Sequence, residues 1–173
     1  MTTGTLILFF TTLFLFSFAI AALSLAPWVP MRSRDLERIN KLANFKSGET
    51  FYDLGCGDGK VVLYAGERND ITAIGIELAL PMYLICKVRK TLSMRKNINF
   101  KLGNIFNKDF SDADVVYVFG MPKTIKNKLK DKLVKELKPG SRIISYTFSF
   151  PGLTPVVVDK PTPKDISIYV YEL

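Results

Sequence analysis

Between residues 51 and 60 the chain reads FYDLGCGDGK, with Gly55, Gly57 and Gly59 at alternate positions and an acid, Asp53, ahead of them. Glycines at that density, straight after a short apolar run, make a strand-to-helix turn in which backbone amides and a helix N-terminus can approach a ligand closely. Three ligand classes use such turns, and spacing separates them. A nucleoside-triphosphate loop places four residues between its first glycine and a Gly-Lys pair, then Ser or Thr. Here three residues lie between Gly55 and Gly59, and Val61 follows Lys60. A dinucleotide fingerprint wants its third glycine three positions after the second, and that position is Lys60. Asp53 would also repel a pyrophosphate.

An acid ahead of the loop suits a ligand that carries a cation there. S-adenosyl-L-methionine ends in an amino acid, with an ammonium, a carboxylate and a neighbouring sulfonium. Asp53 is expected to hold the ammonium by charge-assisted hydrogen bonds, with the backbone of Gly55, Cys56, Gly57 and Gly59 facing the carboxylate. Tyr52, adjacent to Asp53, is counted in the same set. Glu77 follows Gly59 by eighteen residues, at the end of the second expected strand. An acid at that place in such folds grips ribose hydroxyls. Past the third strand, Asn104 is expected to read adenine by hydrogen bonding and Ile105 by packing, although Gly-Asn is equally a common turn pair.

Composition narrows the chemistry further. The 173 residues contain no histidine and two cysteines, Cys56 and Cys86. A typical zinc site or Cys/His catalytic pair is therefore hard to assemble, no metal is expected, and no disulfide framework is implied. Residues 6–26 carry no charge, and as a helix they would be about 31 Å long, enough to cross a hydrocarbon core. A cleaved signal peptide is the competing reading, with Ser24-Leu25-Ala26 as a loose cleavage site. Against it, no Lys or Arg precedes the run, the run is long, and Pro27 follows the cut. All 24 Lys and Arg lie after residue 26, which places the body on the cytoplasmic side of a single-pass anchor. The net charge of +8 suits an anionic leaflet, and by itself it suits nucleic acid equally.

The expected organisation is a tail at 1–5, a transmembrane helix at 6–26, a juxtamembrane segment and helix at 27–50, and a catalytic domain at 51–173. Ser33 can cap a helix to about Ala43. Beyond it strands alternate with helices, the pattern of an α/β domain with a mainly parallel sheet. Strands are expected at 51–54, 71–76, 98–102, 115–119 and 143–148, helices near 60–68, 81–95 and 123–138, and a terminal hairpin from 156–158 and 166–171. The 123–138 helix carries seven lysines around Ile125, Leu129, Leu133, Val134 and Leu137. It reads as a solvated face, or as a contact for anionic lipid or an acidic target. Trp28 suits the bilayer interface.

With these residues in view, the chain from about Pro27 to Leu173 resembles a class I S-adenosylmethionine-dependent methyltransferase. More narrowly, it is similar to small archaeal protein-lysine methyltransferases and to the ATP synthase c-subunit lysine N-methyltransferase family. That likeness rests on PWVP (27–30), FYDLGCGDGK (51–60), GIE (75–77), VYVFGMP (116–122) and LVKELKPGSRIISYTFSFPG (133–152). It implies a Rossmann-like seven-stranded sheet of order 3-2-1-4-5-7-6, mostly parallel with a C-terminal antiparallel hairpin. The cofactor would lie over strands one and two, and the acceptor would enter beside Phe119-Gly120-Met121-Pro122. It also implies that Val29-Pro30 can fold over the cofactor. The turn after strand four offers no Asn or Asp with Pro-Pro-aromatic to bond a nucleobase amine, so no nucleic acid is expected. A lysine amine asks only for alignment and desolvation, which lowers its pKa. Phe119, Met121, Pro122 and Tyr146 are expected to align it, with Phe148 and Phe150 on the face of Tyr146. Tyr146 hydroxyl, a backbone carbonyl or water would take the proton. The partner implied is a protein presenting a lysine, a membrane-embedded one such as the c subunit included. A lipid or small amine acceptor, or a non-catalytic membrane tether, are the other readings.

Overall fold

The computed structural model describes residues 2–173. Seven strands form its sheet: β1 (Thr50–Leu54), β2 (Thr72–Glu77), β3 (Ile98–Leu102), β4 (Val115–Val118), β5 (Arg142–Tyr146), β6 (Val157–Asp159) and β7 (Ile168–Glu172). Their order is β3-β2-β1-β4-β5-β7-β6. The first five pair in parallel, while β7 runs antiparallel to both β5 and β6. Val115-Val116-Tyr117-Val118 are buried throughout, as a central strand covered on both faces should be.

Alternation along the strands sends side chains into two cores. Phe51, Ala73, Val115, Tyr117, Ile144 and Tyr146 face α2 (Ser33–Ala43), α3 (Lys60–Ala65) and α4 (Leu80–Ser93). Tyr52, Leu54, Ile76, Val116, Val118 and Ile143 face α5, a continuous helix over 122–136. In α5 the buried residues Ile125, Leu129, Leu133 and the following Leu137 are each four apart. An α-helix turns about 40° too far at each such step, and a widened π turn at Ile125–Leu129 takes up part of that drift. Val134, expected on this face, is exposed.

Several boundaries move. Ser33 is the first helical residue of α2, and Arg32 holds the cap position without a side-chain hydrogen bond. Helix α1 spans Thr3–Ser24, so the expected tail at 1–5 is mostly helical, while Met1 lies outside the described residues. Helix α1 is long and apolar enough to cross a membrane. Residues 3–16 are exposed, whereas its last two turns, from Ser17, pack onto the body. Leu25 closes that contact, its carbonyl accepting the amide of Met121 at 3.0 Å.

Buried charges tie α2 to the far side of the sheet. Asp35 is wholly buried. It accepts Arg38 Nη1 at 2.8 Å and Tyr146 hydroxyl at 2.7 Å. Arg38 also donates to Asp159 at 2.7 Å and to the carbonyl of Ile166 at 2.9 Å, reaching the terminal hairpin. Removing one partner of such a network strands the others away from water. Arg38→Met is therefore expected to cost about 3–5 kcal/mol in urea unfolding. Arg38→Lys will not restore the loss, because a single ammonium lacks the fork geometry these acceptors use.

Candidate active site

The carboxyl ends of β1 and β2 and the turn after β1 frame the main cavity, and Tyr117, Phe119 and Tyr146 close its far side. The turn needs its glycines. Gly55, Gly57 and Gly59 have φ of 76°, 54° and 77°, in the left-handed region that side chains resist. Their missing side chains also leave room for neighbours. A Cβ on Gly59 would lie 2.8 Å from the Phe100 ring, one on Gly57 2.4 Å from the Trp28 indole, and one on Gly55 2.7 Å from Leu25. Gly59 thus serves packing against β3, while the first two glycines meet the segment that leaves α1. Residues 24–31 lie along the cavity as a roof. Leu25 escaped the sequence reading, and Trp28 was assigned only to the bilayer interface, because long-range packing of a linker leaves no local pattern.

Three acids gather here. Asp58 pairs with Arg89 at 2.8 Å. Glu77 accepts the amides of Gly57 and Ala79, both at 2.7 Å, and so fixes the glycine turn to the end of β2. Burial raises its pKa, against the pull of those amides. Asp53 is 2% exposed, lines the cavity, and has no hydrogen bond or ion pair among the described residues. Burial first, then the charges of Glu77 and Asp58, push its pKa well up. On the neighbouring strand, opposite Asp53 in register, the Tyr117 hydroxyl is buried and likewise without a partner. An unpartnered carboxylate and an unpartnered hydroxyl facing one cavity call for a ligand that brings a cation or donors. The amino-acid end of S-adenosyl-L-methionine meets that description.

The expected role of the turn amides needs correction. Gly55 and Cys56 both donate to the carbonyl of Ile76, Gly59 donates to that of Cys56, and Gly57 donates to Glu77. Of the amides from Gly55 to Lys60, that of Asp58 is left without an acceptor among the described residues. The Cys56 thiol lies 4.0 Å from that of Cys86. That contact, then burial, raises its pKa well above the ordinary thiol.

Of the residues read from sequence, Asp53, Gly55, Cys56, Gly57, Glu77, Ile105, Phe119 and Tyr146 line the cavity; Tyr52, Gly59, Asn104, Met121 and Pro122 do not. Tyr52 lies on the other face of the sheet, donating to Asp112 at 3.2 Å, and burial pushes its pKa up to about 12. Asn104 caps the short turn at Ile105–Asn107 by accepting the amide of Phe106. Met121 and Pro122 open α5. Phe119 meets Tyr146 edge-on at 6.1 Å and stacks on Phe148 at 6.3 Å. Phe150 departs from the expected shared face. Strand β5 ends at Tyr146, Thr147 turns the chain with φ 78°, and Phe150 packs under Tyr171 at 5.6 Å. Tyr146 hydroxyl donates to Asp35, and burial with that hydrogen bond raises its pKa. It is a phenol held by its carboxylate partner.

Comparison with known proteins agrees with this geometry. Residues 53–157 match the family model for the ANTKMT methyltransferase domain. A protein-lysine N-methyltransferase of Saccharolobus islandicus (strain REY15A) is 32% identical over 84% of this chain and 91% of its own length. The mouse adenine nucleotide translocase lysine N-methyltransferase is 29% identical over 76% of this chain, which spans 57% of that relative's length. A solved RNA methyltransferase from Salinibacter ruber, bound to S-adenosyl-L-homocysteine, superposes with a TM-score of 0.78 at 25% identity, covering 83% of this chain and 93% of that one. The chain belongs to the ANTKMT methyltransferase family, and it is an S-adenosylmethionine-dependent enzyme.

The lone carboxylate sets a testable sign. A carboxyl whose pKa rises on folding makes the ligand-free protein lose stability as pH climbs from the ordinary carboxylate range through the raised value. Asp53→Asn is expected to flatten that slope and raise the melting temperature of the free protein. The same change should weaken S-adenosyl-L-homocysteine binding about 10- to 100-fold, the worth of a hydrogen bond to a charged group. Calorimetry showing unchanged affinity would remove Asp53 from the ligand's reach.

Proposed function

We propose that this enzyme transfers methyl groups to lysine side-chain amines of protein substrates at a membrane surface. The observation that carries the reading is the acceptor wall. On the side of the cavity away from the glycine turn, Phe119 and Tyr146 present aromatic surface, and the Tyr146 hydroxyl is turned to Asp35. Desolvation there lowers a lysine's pKa and frees its lone pair. An aromatic face then steadies the positive charge that persists through transfer. The cofactor supplies the methyl group as a sulfonium; the chain aligns, dries and encloses the acceptor.

Within the cofactor set, Asp53 and Tyr117 receive the ammonium, Glu77 the ribose, and Ile105 packs at the adenine end. Asn104 and Tyr52 act indirectly, by shaping the turn and the strand beneath. Met121 and Pro122 place Phe119 by starting α5 directly behind it. The domain plan is an anchor at 6–26, a juxtamembrane segment and helix at 27–50 that roofs the site, and a catalytic domain at 51–173. In support of the anchor, residues 3–16 contribute nothing to either core. All Lys and Arg follow it, which puts the body on the cytoplasmic side. An acceptor in or on the same membrane, of which the ATP synthase c subunit is one example, is then in reach of a site held so near the bilayer.

Incubation of the full chain with labelled methyl donor and host membrane proteins tests the acceptor class. Label is expected on lysine, found by mass spectrometry. Label on no lysine contradicts the proposal, and label in the organic phase would favour a lipid or small amine. Phe119→Ala is expected to lower kcat about tenfold, the worth of one desolvated aromatic contact with a cation. The donor's Kd should stay unchanged.

A further inference from the structure

Helix α4 buries Met82 and Cys86 against the sheet, yet its outer side is apolar. Leu84, Val88 and Leu92 are 53%, 60% and 75% exposed, and with Leu80 they form one stripe at i, i+4, i+8 and i+12. Ile85 and Met94 widen it. Exposed Lys87 and Lys96 flank it. On α5, by contrast, lysines occupy most of the outer face and Val134 is the large apolar residue left exposed there.

The placement of α1 says what covers this stripe. From Leu25, beside Gly55 and Gly120, α1 runs back over the start of α4, where Ser17 Oγ accepts the amide of Leu80 at 3.1 Å. It then leaves the body. The fourteen residues from Thr3 to Phe16 span about 21 Å as a helix, short of the roughly 30 Å of a hydrocarbon core. For α1 to cross, its last two turns must also lie in the bilayer, and they are the turns packed on α4. The bilayer that receives α1 is therefore brought against the side of the body where α4 lies.

We infer that the apolar outer face of α4 is a second membrane contact, lying in the lipid surface beside α1. Lipid is the occupant because the stripe begins at Leu80, where the apolar α1 docks, and because Lys87 and Lys96 at its margin suit phosphate headgroups. This rests on the proposed anchor. It deepens that reading, for the body is then seated in the surface with its cofactor site at headgroup level. Since α4 begins two residues beyond Leu78, directly after Glu77, the orientation of the ribose-facing end of β2 is fixed relative to the membrane.

The test uses the full chain in phosphatidylcholine–phosphatidylglycerol vesicles containing lipid with a nitroxide on its acyl chain. An environment-sensitive fluorophore is attached at Leu92→Cys, at Phe9→Cys in α1, or at Asn99→Cys on β3. Both native cysteines are buried, so the new thiols label first. The expected result is blue-shifted, quenched emission at positions 9 and 92 and neither change at 99. Quenching at 9 alone overturns the α4 contact and leaves the anchor standing. A blue shift at 92 without quenching also overturns it, in favour of a second copy or another protein on this face. No quenching at 9 removes the anchor, and the α4 contact with it.

Discussion

Asp53 is a carboxylate with 2% exposure, set beside Glu77 and Asp58, with no cation among the described residues bonded to it. Burying such a group unpaired is costly, and folded chains tolerate it chiefly where a ligand completes the site. The surrounding design follows from that constraint. Parallel β1, β2 and β4 bring Asp53, Glu77 and Tyr117 to one edge. Glu77 is held by two amides, one of them in the glycine turn, so the turn keeps its shape before a ligand arrives. A preorganised site of this kind spends stability on binding rather than on folding.

The roof joins this site to the apolar N-terminal helix α1. Leu25 and Trp28 fit against glycines that no other residue type could replace without collision, and Leu25 is also hydrogen-bonded through its backbone to the start of α5. The family match begins at residue 53, so the elements that cover the cofactor come from outside it. Asp35 and Arg38 in α2 extend the same coupling, reaching Tyr146 on the cavity wall and Asp159 on the hairpin. Helix α1, the roof and the Phe119–Tyr146 wall are thereby parts of one mechanical unit.

Much of this was legible from residue types. The alternation of strands and helices, the strongly apolar Val115–Val118, and Asp53 with its three glycines announced themselves through local pattern. Strand order came from resemblance, since no single strand encodes its neighbours. What could not be read were contacts made across the fold. The partnership of Tyr146 with Asp35 spans 111 positions. Tyr117 carries no signal of its own in the strand pattern, and its unsatisfied hydroxyl is seen only in the fold. Asn104 was ambiguous between ligand and turn, and its side-chain oxygen accepts the amide of Phe106 in a turn. Phe150 obeyed strand alternation only on the assumption that the strand continued, and the left-handed Thr147 ended it.

The central claim is that a buried acid receives the cationic amino-acid end of the cofactor. Proton-linked calorimetry tests it most directly, comparing S-adenosyl-L-homocysteine with methylthioadenosine, which lacks that end, at mildly acidic pH in buffers of different ionisation enthalpy. The account predicts tight binding of the first with release of protons, as the carboxyl ionises against the ammonium, and weak binding of the second without release. Equal affinities and no proton release for either ligand would contradict it.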